Sequence, residues 1–248
     1  MARTHQWANM LPLEDGNMLP CTETGEWWLT GRSLPKKRAH PIGARQGRNR
    51  DAGPSGVTMA AMGDFVSRAG LKLEHALDTF KVPVAGVVCA DLGSNTGGFV
   101  DCLLQRGAAK VYAIDTGYGA LDWKLRKDPR VVVMERTNAM HITLPETVAI
   151  VTIDVAWTRQ RNILPSVLRM LAADGQVISL VKPHYEAERA MLKRGILQAE
   201  HLDAVLKSVQ DDIAATGFEL LAQTLSPIKG SQGNTEALVL LRPLGRII

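Results

Sequence analysis

A chain of 248 residues, 46% apolar and 22% charged with a formal net charge of +4, has the composition of a globular protein and enough length for a full core in one large domain. Its three cysteines, Cys21, Cys89 and Cys102, make neither a pairable framework nor a metal-ligand spacing, which points to a reducing, cytoplasmic setting and no bound metal. No apolar run reaches about 18 residues without a charge and the N-terminus lacks a signal pattern, so the sequence predicts neither export nor a membrane span.

Residues 1–58 show no sustained period of 3.6 or 2 and are interrupted by Pro12, Pro20, Pro35, Pro41 and Pro54. They read as an irregular or disordered arm, with Glu26 to Thr30 as a short strand or docking segment. Arg32, Lys36, Lys37, Arg38, Arg45, Arg48 and Arg50 form a basic run with no acid between Glu26 and Asp51, suited to a phosphate backbone. The folded domain is placed at 59–248. A helix over 67–81 carries an apolar stripe of Leu71, Leu73, Ala76, Leu77 and Phe80, with Ser67 as its N-cap and Lys72 beside the stripe. Strand 87–92, helix 97–107, strand 110–116, a piece from Leu121 to Arg126 and strand 130–135 follow. The run Val148 to Val155 is apolar nearly throughout, as expected of a strand covered on both faces. A helix over 163–173 precedes a strand over 177–181. Residues 185–200 read as a mobile connection with helical tendency, and a helix over 202–215 precedes two final strands, 218–225 and 237–241. Strands alternating with helices predict an α/β doubly wound sheet of about seven strands, mostly parallel, with the final pair as an antiparallel edge.

The strand at 87–92 runs into Asp91, Gly93, Ser94, Asn95, Thr96, Gly97 and Gly98, and then into an amphipathic helix. Gly93 permits a sharp turn, and Gly97-Gly98 is read as clearing space for a ligand at the first helical amides. The G-x-G-x-x-G dinucleotide fingerprint is absent because its second glycine would fall at Asn95, and there is no G-x-x-x-x-G-K-[ST] phosphate loop. The pattern D-x-G-x-x-x-G-G resembles instead what S-adenosylmethionine-dependent methyltransferases carry at this place. Asp115, ending the next strand about 20 residues on, is placed to accept both hydroxyls of a cofactor ribose.

Ligands in such sheets bind beyond the carboxyl ends of the strands at the switch in strand order. Four polar residues arrive there from distant parts of the chain: Lys72 from the first helix, Asp154 and Lys182 after two strands, and Glu236 before the last. Two lysines and two carboxylates suit methyl transfer to a poorly acidic hydroxyl, where the protein aligns the nucleophile, excludes water and takes up one proton. Lys182 is assigned the proton, Lys72 biases it toward the neutral amine and helps orient the ribose, and Asp154 and Glu236 hold the lysines.

The segment 67–73, the run 91–108, Asp115 with Gly117-Tyr118-Gly119, Glu135 to Asn138, Asp154, Lys182-Pro183, and 226–236 together resemble the hemolysin A (TlyA) branch of the FtsJ-like RNA 2′-O-methyltransferases. The resemblance covers about residues 65–243. It implies a Rossmann-like fold that uses S-adenosylmethionine to methylate ribose 2′-hydroxyls in ribosomal RNA. It also implies a Lys-Asp-Lys-Glu tetrad falling on Lys72, Asp154, Lys182 and Glu236, with Asn138 and Asp154 among the cofactor contacts. Two features depart from the family. Residues 1–58 do not look like its usual N-terminal RNA-binding domain, and Val155-Ala156-Trp157-Thr158-Arg159-Gln160 replaces its usual run after Asp154, so that Trp157 or Tyr185 could stack on an extruded base. Two other readings stay open: a non-catalytic RNA-binding or ribosome assembly factor, and a methyltransferase acting on another RNA such as tRNA.

Overall fold

The structure is a computed structural model that describes residues 65–245. The irregular arm expected at 1–58, its basic run and its short strand lie outside the described residues. In chain order the elements are α1 (Ala69–Phe80), β1 (Val88–Leu92), α2 (Gly98–Gln105), β2 (Lys110–Ile114), α3 (Trp123–Arg126), β3 (Val131–Met134), β4 (Val148–Ile153), α4 (Gln160–Val167) and β5 (Leu171–Val181). Then come α5 (Pro183–Glu186), β6 (Leu192–Lys193), β7 (Ile196–Leu197), α6 (Leu202–Ala215), β8 (Phe218–Leu225) and β9 (Ala237–Pro243).

Seven strands form one sheet in the order β3-β2-β1-β4-β5-β9-β8. The first five are parallel, and β9 runs antiparallel between β5 and β8. The expected doubly wound sheet with an antiparallel edge is therefore present. Its order reverses beside β1, which is flanked by β2 on one side and β4 on the other. From Cys89 to Leu92 every residue of β1 is buried, because helices cover both faces. On one face α1, α2 and α3 supply Leu73, Leu77, Phe99, Leu103 and Leu125; on the other α4 and α6 supply Ile163, Leu164, Val167, Val209 and Ile213.

Several expected boundaries move. Helix α1 begins at Ala69 with Arg68 as N-cap and no side-chain cap, so Ser67 does not cap it. The expected 163–173 helix is instead α4, which starts at Gln160 and contains Pro165, while Leu171 to Ala173 belong to β5. Leu171 pairs with Val148, and a register shift between Val148 and Ile150 lets β5 continue through Gly175. An apolar run such as Met170-Leu171-Ala172 fits helix or strand equally by periodicity, and tertiary pairing decides between them. The connection at 185–200 is built from α5, single 3₁₀ turns and the β6–β7 hairpin.

Phe218, fully buried where β8 starts, anchors the antiparallel edge to the α4 and α6 side of the core. Phe218→Ala is expected to cost about 3–5 kcal/mol in urea unfolding; a loss below about 1 kcal/mol would show that this edge is not part of the cooperative core.

Candidate active site

The turn after β1 is held from both neighbouring strands. Gly93 and Ser94 donate their N–H groups to the Ile114 carbonyl at 2.8 and 3.1 Å, and Asp154 donates its own to the Leu92 carbonyl at 2.9 Å. Gly93 has φ +87, and a Cβ there would lie 2.6 Å from the Asp154 carbonyl oxygen, so only glycine lets the two strand ends come together. At Gly97, φ +100, a Cβ would instead meet the side chains of Leu125 and Leu121, and at Gly98 the Ser67 hydroxyl. The space at Gly97 is therefore taken by protein side chains, which corrects the reason assigned to it from sequence, whereas Gly98 borders the cavity.

Beyond the turn lies a cavity of about 330 Å³, within the range of small-molecule sites. Its wall includes Asp91, Gly93, Ser94, Asn95, Thr96 and Gly98 from the turn together with Lys72, Asp154, Lys182 and Glu236. The four residues singled out as a tetrad are thus gathered at one place. They stand as two ion pairs: Lys72 Nζ is 2.5 Å from Glu236 Oε2, and Lys182 Nζ is 2.5 Å from Asp154 Oδ1. Lys182 also donates to the Val155 carbonyl at 3.1 Å. The first pair is buried and the second is partly exposed. Lys72 thus lines the cavity as half of a compensated pair and not as the bare cation expected from sequence.

Asp91 is 1% exposed at the end of β1. Its Oδ1 accepts from the Thr152 hydroxyl at 2.7 Å, while its Oδ2 is buried with no hydrogen-bond partner among the described residues. Burial pushes the carboxyl up to about 7; the Thr152 hydrogen bond opposes the rise, and the charges of Asp154 and Asp115 add to it. An unpartnered buried carboxylate oxygen on a cavity wall calls for a cation or donor. S-adenosylmethionine carries both an ammonium and a sulfonium, and so fits this wall.

Asp115 accepts the Asn95 N–H at 2.8 Å on Oδ2 and the Gly117 N–H at 2.6 Å on Oδ1. Each oxygen keeps lone-pair capacity for a ribose hydroxyl. Neither Asp115 nor Asn138 is part of the cavity wall; Asn138 is exposed, and its side-chain oxygen accepts the Met140 N–H at 2.9 Å. Nearby, the Gly119 N–H and the Arg126 guanidinium hold the Glu135 carboxyl below its usual range and fix the loop that follows Asp115.

Residues 65–243 match the FtsJ-like methyltransferase family. The chain belongs to that family. Among its relatives, YqxC of Bacillus subtilis is 45% identical over 71% of this chain and 64% of its own length, so the match spans less than two thirds of that protein. The 16S/23S rRNA (cytidine-2′-O)-methyltransferase TlyA of Mycobacterium tuberculosis is 39% identical over 72% of this chain and 68% of its own. A crystal structure of a protein described as a hemolysin from Lactococcus lactis superposes with TM-score 0.69 at 40% identity, covering 72% of this chain and 88% of that one. The expected family is thereby established.

Two residues of this FtsJ-like site, Thr152 and His184, escaped the sequence reading. Thr152, the polar residue within the apolar β4, is in register with Asp91 on β1, a signal that was available from the pattern. His184 lines the cavity; burial and then the Lys182 charge lower its pKa, and its Nδ1 is buried with no partner among the described residues. His184 and Tyr185 lie with ring centroids 4.1 Å apart, and Trp157, 82% exposed with φ +54, lies 6.3 Å from Tyr185. His184 has no periodic or spacing signal that would have marked it.

Raising the Asp91 carboxyl from 3.8 to about 7 means that the folded chain binds one more proton than the unfolded chain between those pH values. Its contribution to stability is present below about pH 4 and is lost as pH rises through about 7. Asp91→Asn should therefore stabilise the ligand-free protein more at pH 8 than at pH 4, by up to roughly 4 kcal/mol. Urea unfolding at the two pH values checks this, and an equal effect at both would contradict the assignment.

Proposed function

We propose that this chain is an RNA ribose 2′-O-methyltransferase that takes its methyl group from S-adenosylmethionine and acts on ribosomal RNA in the cytoplasm. The observation that carries the reading is the convergence of Lys72, Asp154, Lys182 and Glu236 on the cavity that also holds the unpartnered Asp91 oxygen. The relatives named as rRNA (cytidine-2′-O)-methyltransferases support the substrate class. A non-catalytic assembly factor would have no need of two aligned lysine–carboxylate pairs at this cavity, so catalysis is the better reading.

When bound, S-adenosylmethionine supplies an electrophilic methyl group; the chain's own residues do the rest. Asp91 would hold a cationic group of the cofactor, and Asp115 its ribose hydroxyls. Lys182 stands at the mouth of β5, fixed by Pro183 after it and by the Asp154 carboxylate and Val155 carbonyl beside it. There it orients the acceptor hydroxyl: passing one of its own protons to the paired Asp154 carboxylate leaves a neutral amine, which takes the hydroxyl proton as the new O–C bond forms, so that the released proton ends on the Lys182–Asp154 pair. Lys72 and Glu236, mutually neutralised, shape the adjoining wall and keep water out. Trp157 and Tyr185 offer aromatic faces on which an unstacked base can rest.

Lys182→Ala should lower turnover by about 10²–10⁴ while leaving S-adenosylmethionine affinity within a few-fold. Methyl incorporation into unmodified 16S and 23S rRNA transcripts, together with calorimetry of cofactor binding, checks both halves. Turnover near the normal rate would remove Lys182 from the proton-handling role. Incorporation into tRNA alone would move the substrate class.

A further inference from the structure

The chain between Lys182 and Glu236 contains a hairpin that neither cofactor binding nor proton handling uses. Strands β6 and β7 pair Leu192 with Leu197 and Lys193 with Ile196 across a two-residue turn. Both turn residues, Arg194 (φ +52) and Gly195 (φ +78), lie in the left-handed region that a type I′ hairpin requires. Asparagine or glycine suits the first of these positions better than arginine, so the turn alone does not explain the cation there.

A two-stranded hairpin this short is not stable on its own. Asn234, 2% exposed, holds it: its side-chain oxygen accepts the Leu197 N–H at 3.0 Å and its side-chain nitrogen donates to the Gly195 carbonyl at 3.1 Å. Asn234 sits two residues before Glu236 and accepts the Gly230 N–H on its own carbonyl at 3.0 Å. On the other side α5, which follows Lys182, packs against β7. The hairpin is thereby fixed to both arms of the acceptor cavity.

Its outward surface is cationic. Residues 189–198 include no aspartate or glutamate. Lys193 and Arg194 are exposed, as is Lys229 on the loop that Asn234 closes. Among the described residues none of these three takes part in a salt bridge. Unpaired cations carried on a hairpin and loop that Asn234 ties together beside the cavity match the sign of a nucleic-acid backbone.

We propose that the β6–β7 hairpin and the loop at 226–234 form a clamp for the phosphate backbone of the substrate RNA, with Lys193, Arg194 and Lys229 as its contacts and Asn234 as the positioning residue. The proposal rests on the RNA methyltransferase reading above. Phosphate contacts of this kind place the strand, while the cavity chooses the reacting ribose.

The test uses the full chain, 16S and 23S rRNA transcripts, and a series of NaCl concentrations. For the triple variant Lys193→Ala, Arg194→Ala, Lys229→Ala, the slope of log affinity against log salt should fall by about 2, from about 0.7 per lost contact to single-stranded RNA. The KM for RNA should rise by about tenfold, more than kcat falls, with S-adenosylmethionine affinity unchanged. Asn234→Ala, which keeps all three cations, should also raise KM more than it lowers kcat. An unchanged slope and KM in the triple variant, with the parent protein still methylating, overturns the clamp alone. A parent protein that binds these RNAs with a steep salt slope, lost in the variant, but transfers no methyl group supports the clamp and overturns the catalytic reading.

Discussion

The buried pair between Lys72 and Glu236 joins parts of the chain 164 residues apart, the first helix and the entrance to the last strand. Removing one partner of such a pair leaves an uncompensated buried charge and costs about 3–5 kcal/mol. The pair does more than join two elements, because strand register places the other site residues around it. Val181 is opposite Ala237, so Lys182 and Glu236 emerge side by side from an antiparallel pair; Leu92 is opposite Ile153, so Gly93 and Asp154 emerge together from a parallel one. A shift of one residue in either pairing would turn a tetrad side chain to the opposite face of the sheet.

The two ion pairs differ in exposure, and this suits different duties. Lys72 and Glu236 have side chains only 7% and 4% exposed, so their charges see each other and little water. Lys182 and Asp154, at 16% and 20%, remain open to the cavity. A sealed pair suits a wall, and an open one suits a group that must exchange a proton with a substrate. The Asp91 carboxyl adds a third element: with one oxygen satisfied by Thr152 and the other unpartnered, it is a cost to the ligand-free fold that a bound cation would relieve.

Much of this was legible in the sequence because the signals were one-dimensional. Strand and helix alternation marked out the sheet, and three of the four tetrad residues stood at or near the end of a recognisable element: Lys182 after the strand ending at Val181, Asp154 near the end of the apolar run, Glu236 before Ala237; Lys72 lay within the first helix, beside its apolar stripe. What stayed hidden depends on contacts between segments. The space taken by a Cβ at Gly97 belongs to Leu121 and Leu125, residues more than 20 positions away, so a local glycine argument assigned it to a ligand. The pairing of Lys72 with Glu236, and not with Asp154, follows from where α1 packs. The β6–β7 hairpin is held by one side chain, Asn234, and its two-residue strands are too short to leave a period in the sequence.

The proposed acceptor is a ribose 2′-hydroxyl, and the chemical state of the methylated product tests it most directly. After transfer of a labelled methyl group to rRNA, alkaline hydrolysis cleaves beside every free 2′-hydroxyl and spares every 2′-O-methylated nucleotide. Label recovered in alkali-resistant dinucleotides is the result expected. Label released in mononucleotides, as a methylated base, would contradict the account of the site.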